Sequence, residues 1–200
     1  MIKKTTLFTA FALAAVTFLI SCEKDETSPK SGKVIEINAS AYNAWTYFSF
    51  DEDTVISIND YTTSTDWDIA FHRSDVRVNC GQAGPGQGGS YNMGKINFNS
   101  VTEAPADRYS LNTTINILES YTMPPVYVTA PGDTLVSKWM TITTSNTAPP
   151  TYNYSDNIYV IRTAKGKYAK IWLTNYFNKQ SQSGHITMKY VYQASGSRQF

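Results

Sequence analysis

Cysteine and histidine are almost missing from this sequence, with two of each in 200 residues. Cysteines at positions 22 and 80 alone cannot build a disulfide framework, so stability has to come from a packed core. No cysteines and histidines stand at zinc-ligand spacing. His72 and His185 have no serine or cysteine partner pattern, and Cys80 precedes Gly81 without a signature that lowers a thiol pKa. Asp51 and Asp53 read as a solvated turn. Together these gaps argue against an enzyme. Charge is also sparse, at 16% of residues, and no basic stripe is visible, which excludes a nucleic-acid partner.

What is present begins at the N-terminus. Lys3 and Lys4 precede an apolar run from Leu7 to Ile20, interrupted only by Thr9 and Thr17. That run is too short to span a bilayer as an ordinary helix and reads as the hydrophobic region of a signal peptide. Leu19-Ile20-Ser21-Cys22 then gives a branched apolar residue, a small residue and a thiol, the order cut by a bacterial lipoprotein peptidase. Residues 1–21 are therefore expected to be removed, leaving Cys22 as an acylated (palmitate-bearing) N-terminus and the only attachment to the membrane. Cys80 is then left without a partner. Of 17 lysines and arginines, Lys3 and Lys4 go with the signal, leaving 15 against 16 acidic side chains. Residues 22–33 are polar and too poor in apolar groups to fold, so they read as a tether. The acidic run Glu23 to Glu26 resembles the surface-export signal of Bacteroidota lipoproteins, which implies an outer-membrane protein facing the medium.

About 170 residues follow the tether, enough for one core, and residues 34–200 are expected to form a single domain. Tyrosine, threonine and asparagine are abundant, which favours strands. Val34 to Asn38 reads as a strand, and Ala39 to Ala44 as a brief helical turn. Trp45 to Phe50 and Thr54 to Ile58 form a hairpin about the acidic turn Asp51 to Asp53. Trp67 to Val78 is the longest strand candidate. Beyond Phe71 its alternation places Arg73, Asp75 and Arg77 on the formerly apolar face, which demands solvent or paired charge. Gly84, Gly86 and Gly89 match the letter of a dinucleotide-binding pattern. No helical period follows, and the loop reads instead as a turn needing positive φ. Tyr127 to Thr129 and Leu135 to Thr141 flank Pro131-Gly132-Asp133 as a second, projecting hairpin. Asn157 to Thr163, Tyr168 to Thr174 and His185 to Gln193 read as three antiparallel strands, with Met188 in the core and His185 in water.

The segment WDIAFHRSDVRVNCG, Trp67 to Gly81, with the glycine loop through Gly89, resembles the HmuY family of surface haem-binding lipoproteins. The likeness extends to Trp45 to Phe50, to Thr151-Tyr152, to the strand ending at Arg162, to Ala169-Lys170-Ile171 with Thr174, and to Gly184 through Tyr192. It covers most of the mature domain. The resemblance implies an all-β domain of antiparallel sheets with two projecting loop and hairpin fingers that grip one haem. It also implies a haemophore-like role, in which haem or a related tetrapyrrole is captured for iron acquisition and passed to an outer-membrane haem receptor. A binding or adhesion module with the same fold and another cargo, a peptide or a glycan, is the alternative.

In the founding member of that family two histidines ligate the iron. One lies in the hairpin that here spans roughly Ser120 to Thr129, the other a few residues past the tryptophan corresponding to Trp139. This sequence has no histidine between Arg73 and Gly184. Relatives ligate with methionine, and Met123 and Met140 stand in the matching fingers as candidate ligands to haem iron, the only metal expected. Met140 and Thr144 share one face of a strand. Met140 could equally be packing beside Trp139. Tyr121, Tyr127, Trp139 and Thr144 are candidate pocket residues, the tyrosines by stacking on a porphyrin or by cross-strand packing alone. His72 is expected in a hydrogen-bonded polar network with Asp68, Arg73, Asp75 and Arg77.

Overall fold

The computed structural model describes residues 31–145 and 147–200. The expected signal peptide, the acylated Cys22 and the tether up to residue 30 lie outside the described residues. Among the described residues no helix is long and apolar enough to cross a membrane.

In chain order the first strands are β1 (Lys33–Asn38), β2 (Thr46–Ser49), β3 (Thr54–Ile56), β4 (Ile69–His72), β5 (Asp75–Val78) and β6 (Gly89–Gly94). They continue as β7 (Thr113–Ser120), β8 (Val126–Gly132), β9 (Met140–Thr143), β10 (Thr151–Tyr154), β11 (Ile158–Arg162), β12 (Tyr168–Phe177) and β13 (Ser183–Gln193). Five form one sheet in the order β1-β13-β12-β11-β6, and four form another in the order β3-β2-β4-β5. The fold is all-β, as expected.

The main core lies between these sheets. Alternate residues of β12 and β13, among them Ile171, Leu173, Ile186 and Met188, meet Phe48, Ile69, Phe71 and Val76 of the smaller sheet. Alternation explains this: residues two apart share a face, so Ile186, Met188 and Tyr190 are buried together. The opposite face of the larger sheet is covered by Phe98, Val101 and Ala104, packed on Ile158, Val160 and Val191. β4 is an inner strand buried on both faces, with Ala70 packed beside Trp67 in a third cluster.

Within these sheets and their loops the sequence reading needs correcting in four places. Trp67 to Val78 is not one strand, because the chain reverses at Arg73-Ser74 and His72 pairs with Asp75. That reversal accounts for the broken alternation. Arg77 lies opposite Ala70 on the returning strand, buried, with its guanidinium 3.5 Å from the centre of the Trp45 ring and 4.6 Å from that of Tyr61. Ala39 to Ala44 makes bends, not a helical turn. Of the loop glycines only Gly81 has positive φ. A Cβ at Gly84, Gly86 or Gly88 would collide with Asn79 instead, so these glycines serve close packing. His185 is not in water: it is half-buried, with Nδ1 3.2 Å from Glu36 Oε1. Met188, in contrast, is in the core as read.

Candidate functional site

Two two-stranded ribbons project beyond the sheets, β7–β8 and β9–β10. The projecting hairpin is therefore built from Thr113–Ser120 and Val126–Gly132, and not about Pro131-Gly132-Asp133. Asp133 instead uses Oδ1 to accept the N–H groups of Leu135 and Val136, both at 2.8 Å, starting a short 3-10 turn over Val136–Trp139 that leads into β9.

Both fingers are rooted on β5, the edge strand of the smaller sheet. A free edge presents unsatisfied backbone groups, and side chains fill that need here. The Val76 N–H donates to Ser137 Oγ at 2.9 Å and the Val78 N–H to Asn112 Oδ1 at 3.2 Å. The Asp133 N–H donates to the Val76 carbonyl at 2.7 Å, and Trp139 Nε1 to the Ser74 carbonyl at 2.9 Å.

Between the fingers lies a cleft of about 580 Å³. The first finger contributes Asn116, Leu118, Tyr121 and Tyr127, and the second Ile142, Thr144, Pro150 and Tyr152. Leu118 faces Tyr127 across the first ribbon, and Ile142 faces Tyr152 across the second, so each wall carries one aliphatic and one phenolic side chain side by side. The floor is Tyr42, the Arg73–Asp75 turn, Tyr176 and Ser183.

Arg73 organises that floor. It adopts φ of 54°, a conformation a bulky residue rarely takes. Its guanidinium donates to the Ser40 carbonyl at 2.9 Å, the Ser183 carbonyl at 3.1 Å and Ser183 Oγ at 2.7 Å. It lies 4.4 Å from the centre of the Tyr42 ring and 5.5 Å from that of Tyr176. Burial pushes the Tyr176 phenol up to about 12 despite the nearby cation. His72, beneath the turn, is buried with Nε2 2.7 Å from the Tyr42 carbonyl oxygen and Nδ1 3.7 Å from Asp75 Oδ2.

Of the residues singled out from sequence, Tyr121, Tyr127 and Thr144 line the cleft. Trp139 does not: it is 1% exposed and lies under the floor, held by its bond to Ser74. Neither methionine lines the cleft. Met123 stands at the tip of the first finger, 95% exposed, whereas Met140 is 5% exposed in the main core. Met140 does share a strand face with Ile142 and Thr144, but it sits at the root of the finger, where that face runs into the core. The structure therefore does not bring the two sulfurs together.

Sequence reasoning missed Tyr42, Arg73, Tyr152 and Tyr176. The signal for Arg73 was the broken alternation past Phe71, which a hairpin turn explains.

Fold and cleft together define an all-β protein with two fingers enclosing an aromatic-walled groove. The family profile described as HmuY protein matches residues 41–190. The chain belongs to the HmuY family. A structure from Bacteroides vulgatus, named an HmuY-like heme binding protein, is 30% identical, with a TM-score of 0.65 over 79% of this chain and 90% of that one. Two further structures share the fold. The apo HmuY analog of Tannerella forsythia has 22% identity and a TM-score of 0.64, over 81% of this chain and 95% of its own. A structure from Bacteroides fragilis, named a lipoprotein, has 20% identity and a TM-score of 0.62, over 79% and 87% of the two chains. No curated protein sequence compared with this chain matches it.

Proposed function

We propose that this protein is a surface lipoprotein that binds haem or a related tetrapyrrole in the cleft between its fingers and hands it to an outer-membrane haem receptor. The observation that carries this reading is the tyrosine-walled cleft of about 580 Å³ in a member of the HmuY family. Its volume falls within the range of small-molecule sites, and aliphatic and phenolic walls suit a flat, largely apolar macrocycle. Arg73 in the floor supplies positive charge for carboxylate groups on the cargo. Residues 1–21 act as the signal peptide, acylated Cys22 as the anchor, and residues 34–200 as one binding domain that carries out no catalysis.

Within this reading the two methionines have different roles. Met123 is the thioether a cargo reaches without disturbing the core, and Met140 fills the core. Haemin titration of the purified protein tests the proposal. A saturable Soret shift at one haemin per chain is expected, and no shift with either oxidised or reduced haem refutes it. Labelling with radioactive palmitate, lost on Cys22→Ala, together with protease shaving of intact cells, tests the anchor and its orientation.

The alternative cargo, a glycan or peptide, is favoured by one observation: no histidine, methionine or cysteine lines the cleft among the described residues. In that case a glycan or peptide raises the thermal midpoint and haemin leaves it unchanged.

A further inference from the structure

Ferric iron accepts oxygen as well as nitrogen and sulfur donors, and a tyrosine phenolate is one of its known axial ligands in haem proteins. The cleft offers no imidazole or thioether among the described residues, but it offers five phenols: Tyr42, Tyr121, Tyr127, Tyr152 and Tyr176. Four phenols elsewhere in the fold are committed to protein acceptors: Tyr109 donates to the Pro105 carbonyl, Tyr154 to Asn175, Tyr190 to Asp53 and Tyr192 to Asp51.

Four of the five cleft rings are engaged in packing. Tyr42 and Tyr121 stack on each other with centroids 6.4 Å apart. Tyr152 packs on Tyr176 and Phe177 at 6.0 and 4.8 Å. Burial also holds Tyr176 in its protonated form, which disfavours it as a phenolate. Tyr127 differs. It is 62% exposed, stands beside Leu118 towards the tip of the first finger, and packs against no other aromatic ring among the described residues.

We propose that the Tyr127 phenolate is the axial ligand to ferric haem in this cleft, with the opposite face of the macrocycle lying on the Ile142 and Tyr152 wall. This rests on the tetrapyrrole reading above. In the binding step the Tyr127 O–H bond breaks, an O–Fe bond forms, and the water on the haemin iron leaves. The proton passes to solvent and iron stays ferric throughout, so no oxidant or reductant is needed. An anionic oxygen ligand favours ferric over ferrous iron, the reverse of what a thioether pair would do.

The test uses the full-length protein in detergent, titrated with ferric haemin, with dithionite-reduced haem and with metal-free protoporphyrin IX. The wild type is expected to give a high-spin ferric spectrum with phenolate-to-iron charge transfer and tyrosinate resonance Raman modes. Tyr127→Phe is expected to lose those modes and weaken ferric haemin about tenfold or more. Metal-free protoporphyrin is expected to bind both proteins equally, and a thermal melt of the exposed-site variant to match the wild type. A ferric spectrum unchanged in Tyr127→Phe overturns the ligand assignment while leaving the tetrapyrrole reading standing. So does a low-spin wild-type spectrum lost in Met123→Ala. Failure of wild type to bind haemin or protoporphyrin overturns both.

Discussion

Trp139 donates its indole N–H to the Ser74 carbonyl at 2.9 Å, joining the root of the second finger to the turn that floors the cleft. The ring is fully buried against Tyr154 and Tyr176, so packing and hydrogen bond act at one place. Trp139→Phe keeps an aromatic ring but strips the carbonyl of its donor. A loss of about 0.5–1.5 kcal/mol in urea unfolding is expected, the net contribution of one part-buried hydrogen bond. A loss within measurement error would mean that this bond does not hold the finger.

The two methionines separate cleanly in stability. Met140→Ala removes a thioether from the packed core and is expected to cost about 2–5 kcal/mol. Met140→Leu conserves volume and recovers most of that. Met123→Ala, at the solvated finger tip, is expected to stay within about 0.5 kcal/mol of wild type. Denaturant midpoints check all three.

Gly184 has φ of 87°, and a Cβ there would lie 2.6 Å from Arg73 Nη1 and 2.7 Å from the Ser40 Cα. Gly184→Ala therefore strains the backbone and pushes the guanidinium out of the cleft floor. Destabilisation of at least about 1 kcal/mol is expected, with weaker cargo binding in the fraction that folds. Thermal melts and a haemin titration of the same preparation separate the two effects.

Stability should fall as pH rises above about 4. Asp68 is buried, and although Phe50 and Ala164 donate their N–H groups to its two oxygens, desolvation dominates and pushes its pKa up to about 6 from an ordinary 3.8. The folded state thus holds this proton more tightly than the unfolded chain. Its contribution is complete below the unfolded pKa and is lost as pH rises through about 6, roughly 3 kcal/mol in all. Asp51 works in the opposite sense. Bonds from Lys167, Tyr192 and Lys165 hold it down at about 2, so its contribution is present above pH 4 and lost as pH falls through 2. Asp68→Asn is expected to flatten the decline between pH 4 and 7 in urea titrations. It should not abolish it, because burial raises Asp133 as well. An unaltered slope would contradict the assignment.

The sheets were legible where alternation runs unbroken, as in the hairpin of β2 and β3 and the three C-terminal strands. Arg73-Ser74 hid its turn because the residue at positive φ is an arginine, with no glycine, asparagine or proline to mark it; the strain at Arg73 is held by contacts from Ser40 and Ser183, which are remote in sequence. The first finger was misplaced because Pro131 and Gly132 look like a turn. Pro131 is tolerated inside β8 because each strand of a two-stranded ribbon has a free edge. Alternation placed Met140 on the right face, with Ile142 and Thr144. It says nothing about depth along the strand, and depth decides whether that face meets the cleft or the core. Tyr42, Tyr152 and Tyr176 were invisible as a group, since they come from three separate elements and only the tertiary fold brings them together.

Hydrogen–deuterium exchange with and without saturating haemin tests most directly whether the cleft between the fingers is the binding site. Slowed exchange confined to β7 through β10 and the Arg73-Ser74 turn is the expected result. Protection spread over the sheets, located elsewhere, or absent while haemin remains bound would contradict it.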